Sequence, residues 1–143
     1  MAEALAGFVC GYGLALVATP LAAITVLRAR ATSPQLQRLL PEGTSLIAVS
    51  VIIHTLIFLT FTALGGLLGL LLAGLDGRSP ESGLGSPNRA FTAFIIATAA
   101  IAVVPLALFA SRQRLPLLGG GLLFAGVFGW LMPYLAQWGP GGG

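Results

Sequence analysis

Four stretches of this chain, residues 4–27, 46–73, 90–110 and 117–138, each run for more than 20 residues without one Asp, Glu, Lys or Arg. A helix needs about 20 consecutive apolar residues to cross the ~30 Å hydrocarbon layer of a bilayer. The sequence therefore predicts an all-α fold, an integral membrane four-helix transmembrane bundle that forms a single transmembrane domain over residues 1–143. Composition agrees. Charged residues make up 8% of the chain and hydrophobic ones 57%, against about 25% charged in soluble domains. Too little polar surface is left for a separate soluble domain.

The charges that do occur lie at the ends of the apolar runs. The first connection holds Arg28, Arg30 and Arg38 against Glu42, net +2, and the third holds Arg112 and Arg114, also +2. The second balances Arg78 and Arg89 against Asp76 and Glu81. Basic residues in short loops stay cytoplasmic. The expected topology thus puts the first and third connections in the cytoplasm, with both termini outside a plasma (cell) membrane that the chain crosses as a multi-pass protein. All seven basic residues are Arg, and this placement accounts for them without nucleic acid as a partner. The first apolar run is expected to be retained, because a signal peptide begins with a positive region, whereas here Glu3 precedes the run and Arg28 follows it. The single Cys10 lies within that run, so no intrachain disulfide forms.

Between spans one and two, Ser33-Pro34 supplies a cap and a first-turn proline. Leu36, Leu39 and Leu40 then share a face. This predicts a short interfacial amphipathic helix that ends at Pro41 and Gly43. The second span is longer than the hydrocarbon layer requires and is expected to tilt, protrude or bend at Gly65-Gly66. Ser86-Pro87 carries the same cap signature for the third span. Residues 111–116 are too few for anything but an antiparallel hairpin, Pro20, Pro105 and Pro133 should perturb their spans locally, and the tail 139–143, four Gly and one Pro, is expected to be disordered.

Lipid gives apolar helices no hydrophobic reason to associate, so close approach through small residues must supply the packing. Three stripes at four-residue spacing offer it: Gly7, Gly11, Ala15 and Thr19; Gly65, Gly69 and Ala73; and Gly121, Ala125 and Gly129. Trp130, Tyr134 and Trp138 recur every four residues at the end of the last span and are read as anchors at the headgroup level.

His54 is the one residue within a span that stands out chemically, since an ionisable group at that depth is a functional candidate by default. At 100° per residue it shares a face with Gly65, Phe58 and Phe61, and so should point into the bundle or an interface. A packing and hydrogen-bonding role is the expectation. Binding a haem or other cofactor, or titrating in transport, are the sharper alternatives, and one His cannot supply both axial ligands of a haem. No Ser/His/Asp set, carboxylate pair, Cys/His cluster or phosphate-binding loop is present, so the sequence predicts no enzyme, no catalytic residues, no metal and no resident cofactor. The expected role is that of a structural or accessory subunit whose partners are the lipid bilayer and a second copy of itself or another membrane protein. The alternative is a small transporter or channel with His54 in its polar path.

Overall fold

The computed structural model describes residues 1–39, 43, 45–76, 82–109 and 114–138. The disorder expected of 139–143, and the ends of the connections at 40–42, 77–81 and 110–113, lie outside the described residues. Every regular element among the described residues is helical. Helix α1 spans Ala2–Arg30, the short α2 Pro34–Leu39, α3 Leu46–Asp76 and α4 Arg89–Phe109. The last span is composite: α5 (Arg114–Phe124), a π-helical segment (Ala125–Leu131) and α6 (Met132–Gln137). Four of these runs are long and apolar enough to cross a membrane.

The helices form two antiparallel hairpins. Along the α1–α3 seam the pairing keeps a constant register: Gly7 meets Gly65, Gly11 meets Phe61, and Gly69 meets Glu3 and Ala4. A Cβ placed on Gly7 would fall on the Gly65 carbonyl oxygen, and one on Gly65 would fall on the Gly7 carbonyl oxygen. The two backbones are thus in direct contact, with each Cα–H aimed at the other helix's carbonyl in the weak hydrogen bonding common at helix crossings. Only glycine allows this approach. Ala73 continues the stripe in sequence but is exposed, because at that height α1 has already ended. The α3 helix runs unbroken through Gly65 and Gly66.

The second hairpin pairs α4 with the last span. Gly121 lies against Val103, and Gly129 packs on Ile95 and Thr92. Pro133 would be the donor for the Gly129 carbonyl in an α-helix, but proline has no N–H. Thr92, fully buried on α4, donates its hydroxyl to that carbonyl at 2.7 Å. The π-helical segment, which ends at Leu131 just ahead of Pro133, widens the turn in which this exchange occurs. The hairpins meet chiefly where α1 packs on α6, and α3 hardly touches α4. The core accordingly gathers near the end that carries both termini, from Cys10, Leu72, Phe91, Ile95, Phe128 and Met132.

The cap of α4 differs from the sequence expectation. Asn88, not Ser86, occupies the cap: its Oδ1 accepts the Phe91 amide at 2.9 Å, while Ser86 Oγ accepts the Asn88 amide at 3.3 Å. Ser86 belongs instead to a tight turn in which Gly83 and Ser86 exchange two backbone hydrogen bonds. The first-turn proline signature is therefore two residues early. Helix α2 is a six-residue piece as expected, with the Gln37 amide bonded to the Ser33 carbonyl.

Candidate functional site

The α1–α3 seam continues past its glycines to a polar pair between the two helices. Eight residues beyond Gly11, Thr19 faces His54, and Thr19 Oγ1 lies 3.0 Å from His54 Nδ1. The same hydroxyl donates to the Ala15 carbonyl at 2.7 Å. A hydroxyl has one proton to give. With that proton on Ala15, the imidazole carries a proton on Nδ1 and donates it to Thr19. The ring is half-buried and stacks on Phe58, with centroids 6.1 Å apart and planes 28° apart. Tyr12 meets the same Phe58 edge-on at 5.8 Å. An aromatic wall thus holds the imidazole against α1.

A shallow cavity of about 370 Å³ borders this pair, lined by Thr19, Ile47, Ser50, Val51 and His54. It offers one imidazole and two hydroxyls and no charged side chain. Such a set can hold a hydrogen-bonding group through its imidazole and hydroxyls. Among the described residues no group of three His, Cys, Asp or Glu side chains comes together to ligate a metal.

The aromatic stripe takes a more specific position than headgroup anchoring. Trp130 Nε1 donates to the Leu84 carbonyl at 2.8 Å and Tyr134 OH to the Gly85 carbonyl at 3.0 Å. Both acceptors are the central residues of the 83–86 turn, with φ of 56° at Leu84 and 68° at Gly85. A leucine in the left-handed region is uncommon and costs energy, and the last span holds it there by its carbonyl. Trp138 is exposed and makes no such bond. Sequence reasoning missed this clasp. A four-residue repeat shows which aromatics share a face and says nothing about which loop folds onto it.

A second opening was equally invisible in the sequence. Between the hairpins, toward the arginine end of the bundle, where Arg28 and Arg30 close α1 and Arg114 opens α5, lies an apolar cleft of about 660 Å³ bounded by α1, α3, α4 and α5. Its walls include Leu14, Leu21, Phe61, Ala102, Pro116 and Phe124, and its one polar side chain is Thr98. That hydroxyl donates to the Phe94 carbonyl of its own helix at 2.9 Å. Gly119 and Gly120 form part of the wall, and a Cβ on either would meet nothing within 4 Å.

Together these features define a small helical membrane protein with a glycine-seamed hairpin, a half-open bundle and a lone imidazole at the seam. Compared with known protein families, curated proteins and solved structures, the chain matches none.

Proposed function

We propose that this is a structural or accessory subunit of the cell membrane, a multi-pass protein with both termini outside that assembles with a second copy or with another membrane protein. The observation that carries the reading is the way the interior uses its polar groups. The buried hydroxyls of Thr62 and Thr92 donate to backbone carbonyls at 2.6–3.0 Å, and the Asn88 side chain caps a helix. Side chains tied up in this way build and fix helices rather than line a hydrated path. An ion or charged-solute carrier needs intramembrane polar groups left available to its cargo, and His54 is too isolated to supply them. The orientation rests on the net charge of the connections: Arg28, Arg30, Arg38, Arg112 and Arg114 belong to the first and third, whereas Arg78 and Arg89 of the second are balanced by Asp76 and Glu81.

Mild-detergent extraction from native membranes tests the assembly. The expected result is a complex containing a second copy or a distinct membrane protein. A monomer that co-purifies with no protein, and that moves a solute only when His54 is intact, would replace this reading with the transporter one. Orientation is checked with single Cys residues at Ser82, Arg38 and Gln113 in a Cys10→Ala background. An impermeant thiol reagent should label the Ser82 position on intact cells and the other two only after permeabilisation. Labelling of the Arg38 position from outside would invert the topology.

A further inference from the structure

We propose that the cleft between the two hairpins is a binding site for one acyl chain of an anionic glycerophospholipid drawn from the arginine-bearing leaflet. The argument begins with depth. The α5 wall runs from Pro116 to Phe124, eight residue steps of about 1.5 Å, so roughly 12 Å. Half of a ~30 Å hydrocarbon core is about 15 Å. The cleft is therefore one leaflet deep, reaching from the membrane surface near α5's first residue to mid-membrane at Leu14.

Length and chemistry narrow the occupant. A partner helix that crossed the membrane would run the full ~30 Å of the hydrocarbon core and overshoot a cleft one leaflet deep, whereas a single extended acyl chain ends at mid-membrane. No wall group needs a polar partner, since Thr98 is already satisfied within its own helix. The glycines at 119 and 120 leave bare backbone facing the opening, a flat surface for a methylene chain at the expense of helix propensity, which runs to about 1 kcal/mol per Gly.

Charge selects the headgroup. Arg114 stands two residues before Pro116 at the mouth of the cleft, and its Nε is held by the Ala107 carbonyl at 3.1 Å. This bond closes the C-terminal turn of α4 and fixes the guanidinium at the membrane surface. Arg28 and Arg30 end α1 on the same side. A phosphate with its chain in the cleft lies at the level of these cations, and each Arg near an anionic surface contributes on the order of a fivefold preference.

The test uses the full chain in vesicles containing phosphatidylglycerol or phosphatidylcholine, each with a diazirine in one acyl chain. After illumination, labelled peptides should map to residues 14–21, 98–103 and 116–124, with phosphatidylglycerol favoured. Arg114→Gln should lower that preference by about fivefold, and Arg114→Lys should keep it. Gly120→Leu, and separately Ala102→Phe, should deplete the label in the cleft while labelling at outward positions such as Leu56 and Leu106 persists. The proposal is overturned by wild-type label spread evenly over the lipid-facing perimeter, or by equal labelling by the two lipids that Arg114→Gln leaves unchanged. Protein–protein cross-links formed from the cleft walls in native membranes would also overturn it, in favour of a partner helix. The mapping on wild type stands even if a filling variant fails to fold.

Discussion

The two ends of this bundle are built from the same four helices and are packed in opposite ways. Toward the termini, α1 lies on both α3 and α6, Phe91, Ile95, Phe128 and Met132 are fully buried, and the 83–86 turn is clasped from the last span. Toward the arginines, α1 and α3 stay together while α4 and α5 part from them around the apolar cleft. Both ends contain glycines. Those at 7, 11, 65 and 69 press on a neighbouring backbone, whereas those at 119 and 120 face open space. The difference teaches that small residues permit close approach without causing it. Contact forms where two small stripes meet in register, and at the arginine end Gly119 and Gly120 find no matching stripe opposite.

The sharpest way to break the comparison is to put a side chain where the backbones touch. Gly7→Leu or Gly65→Leu cannot be relieved by a rotamer change, because the obstacle is a carbonyl oxygen of the main chain. The expected loss is about 3 kcal/mol or more, at the upper end for overpacked interiors, read as thermal or denaturant stability in detergent. Gly13→Ala and Gly126→Ala meet nothing within 4 Å and should fall within about 0.5 kcal/mol of wild type. Equal stability of Gly7→Leu and Gly13→Ala would mean that α1 and α3 are not in backbone contact.

Thr92→Val probes the terminus end from the other hairpin. Valine matches threonine in shape and removes the hydroxyl whose one proton serves the Gly129 carbonyl at 2.7 Å, with the Asn88 carbonyl at 3.0 Å as a second acceptor. Interhelical hydrogen bonds in membranes average about 0.6 kcal/mol and reach about 1.7. A buried carbonyl deprived by Pro133 of its α-helical donor belongs near the top of that range. If Thr92→Val is silent, the π-helical segment satisfies Gly129 by itself.

How much of this was legible in the sequence follows from what each feature depends on. The spans were readable because burial in lipid acts on composition alone; the run 46–73 became Leu46–Asp76 and 90–110 became Arg89–Phe109. The fourth was readable as a span but not as three helical pieces, since the π turn arises from Pro133, Gly129 and a threonine 37 residues away. Gly7, Gly11, Gly65 and Gly69 could be picked out by spacing, but their pairing required the register between helices. His54 could be placed on the glycine face, yet its partner Thr19 lies on another helix. The cleft left no sequence signal. It is a space, made by where two hairpins fail to meet.

The clasp on the second connection sharpens the comparison at the membrane surface. Trp130→Phe keeps the aromatic bulk and loses the bond to the Leu84 carbonyl. The expected cost is about 1 kcal/mol, that of an ordinary hydrogen bond. Local readouts should show more than global stability does. Amide exchange at Gly83 and Ser86 should accelerate in Trp130→Phe and in Tyr134→Phe, and further in the double variant. Leu84→Gly removes the strain of a left-handed leucine and should recover part of the loss. Unchanged exchange in the double variant would mean that the turn stands without the last span.

The smallest effect is expected at the arginine end, where His54 sits on the seam. If its work is to donate Nδ1–H to Thr19, then His54→Leu should cost about 0.6 kcal/mol. His54→Gln, which retains a donor and an acceptor, should lose less. Thr19→Val should match His54→Leu, and the double variant should cost no more than either single one, because the two residues make one bond. The size of the effect is itself the argument. The glycine contacts hold α1 to α3 by geometry that no side-chain change nearby can restore, while this polar pair adds little to a seam already closed. A stability loss of several kcal/mol in His54→Leu would assign the seam to the imidazole instead. A Soret band in the purified protein that disappears in His54→Gln would make His54 a haem ligand, and the exposed face beside Ile47 and Val51 would then be the place to look for the second axial ligand from a partner chain.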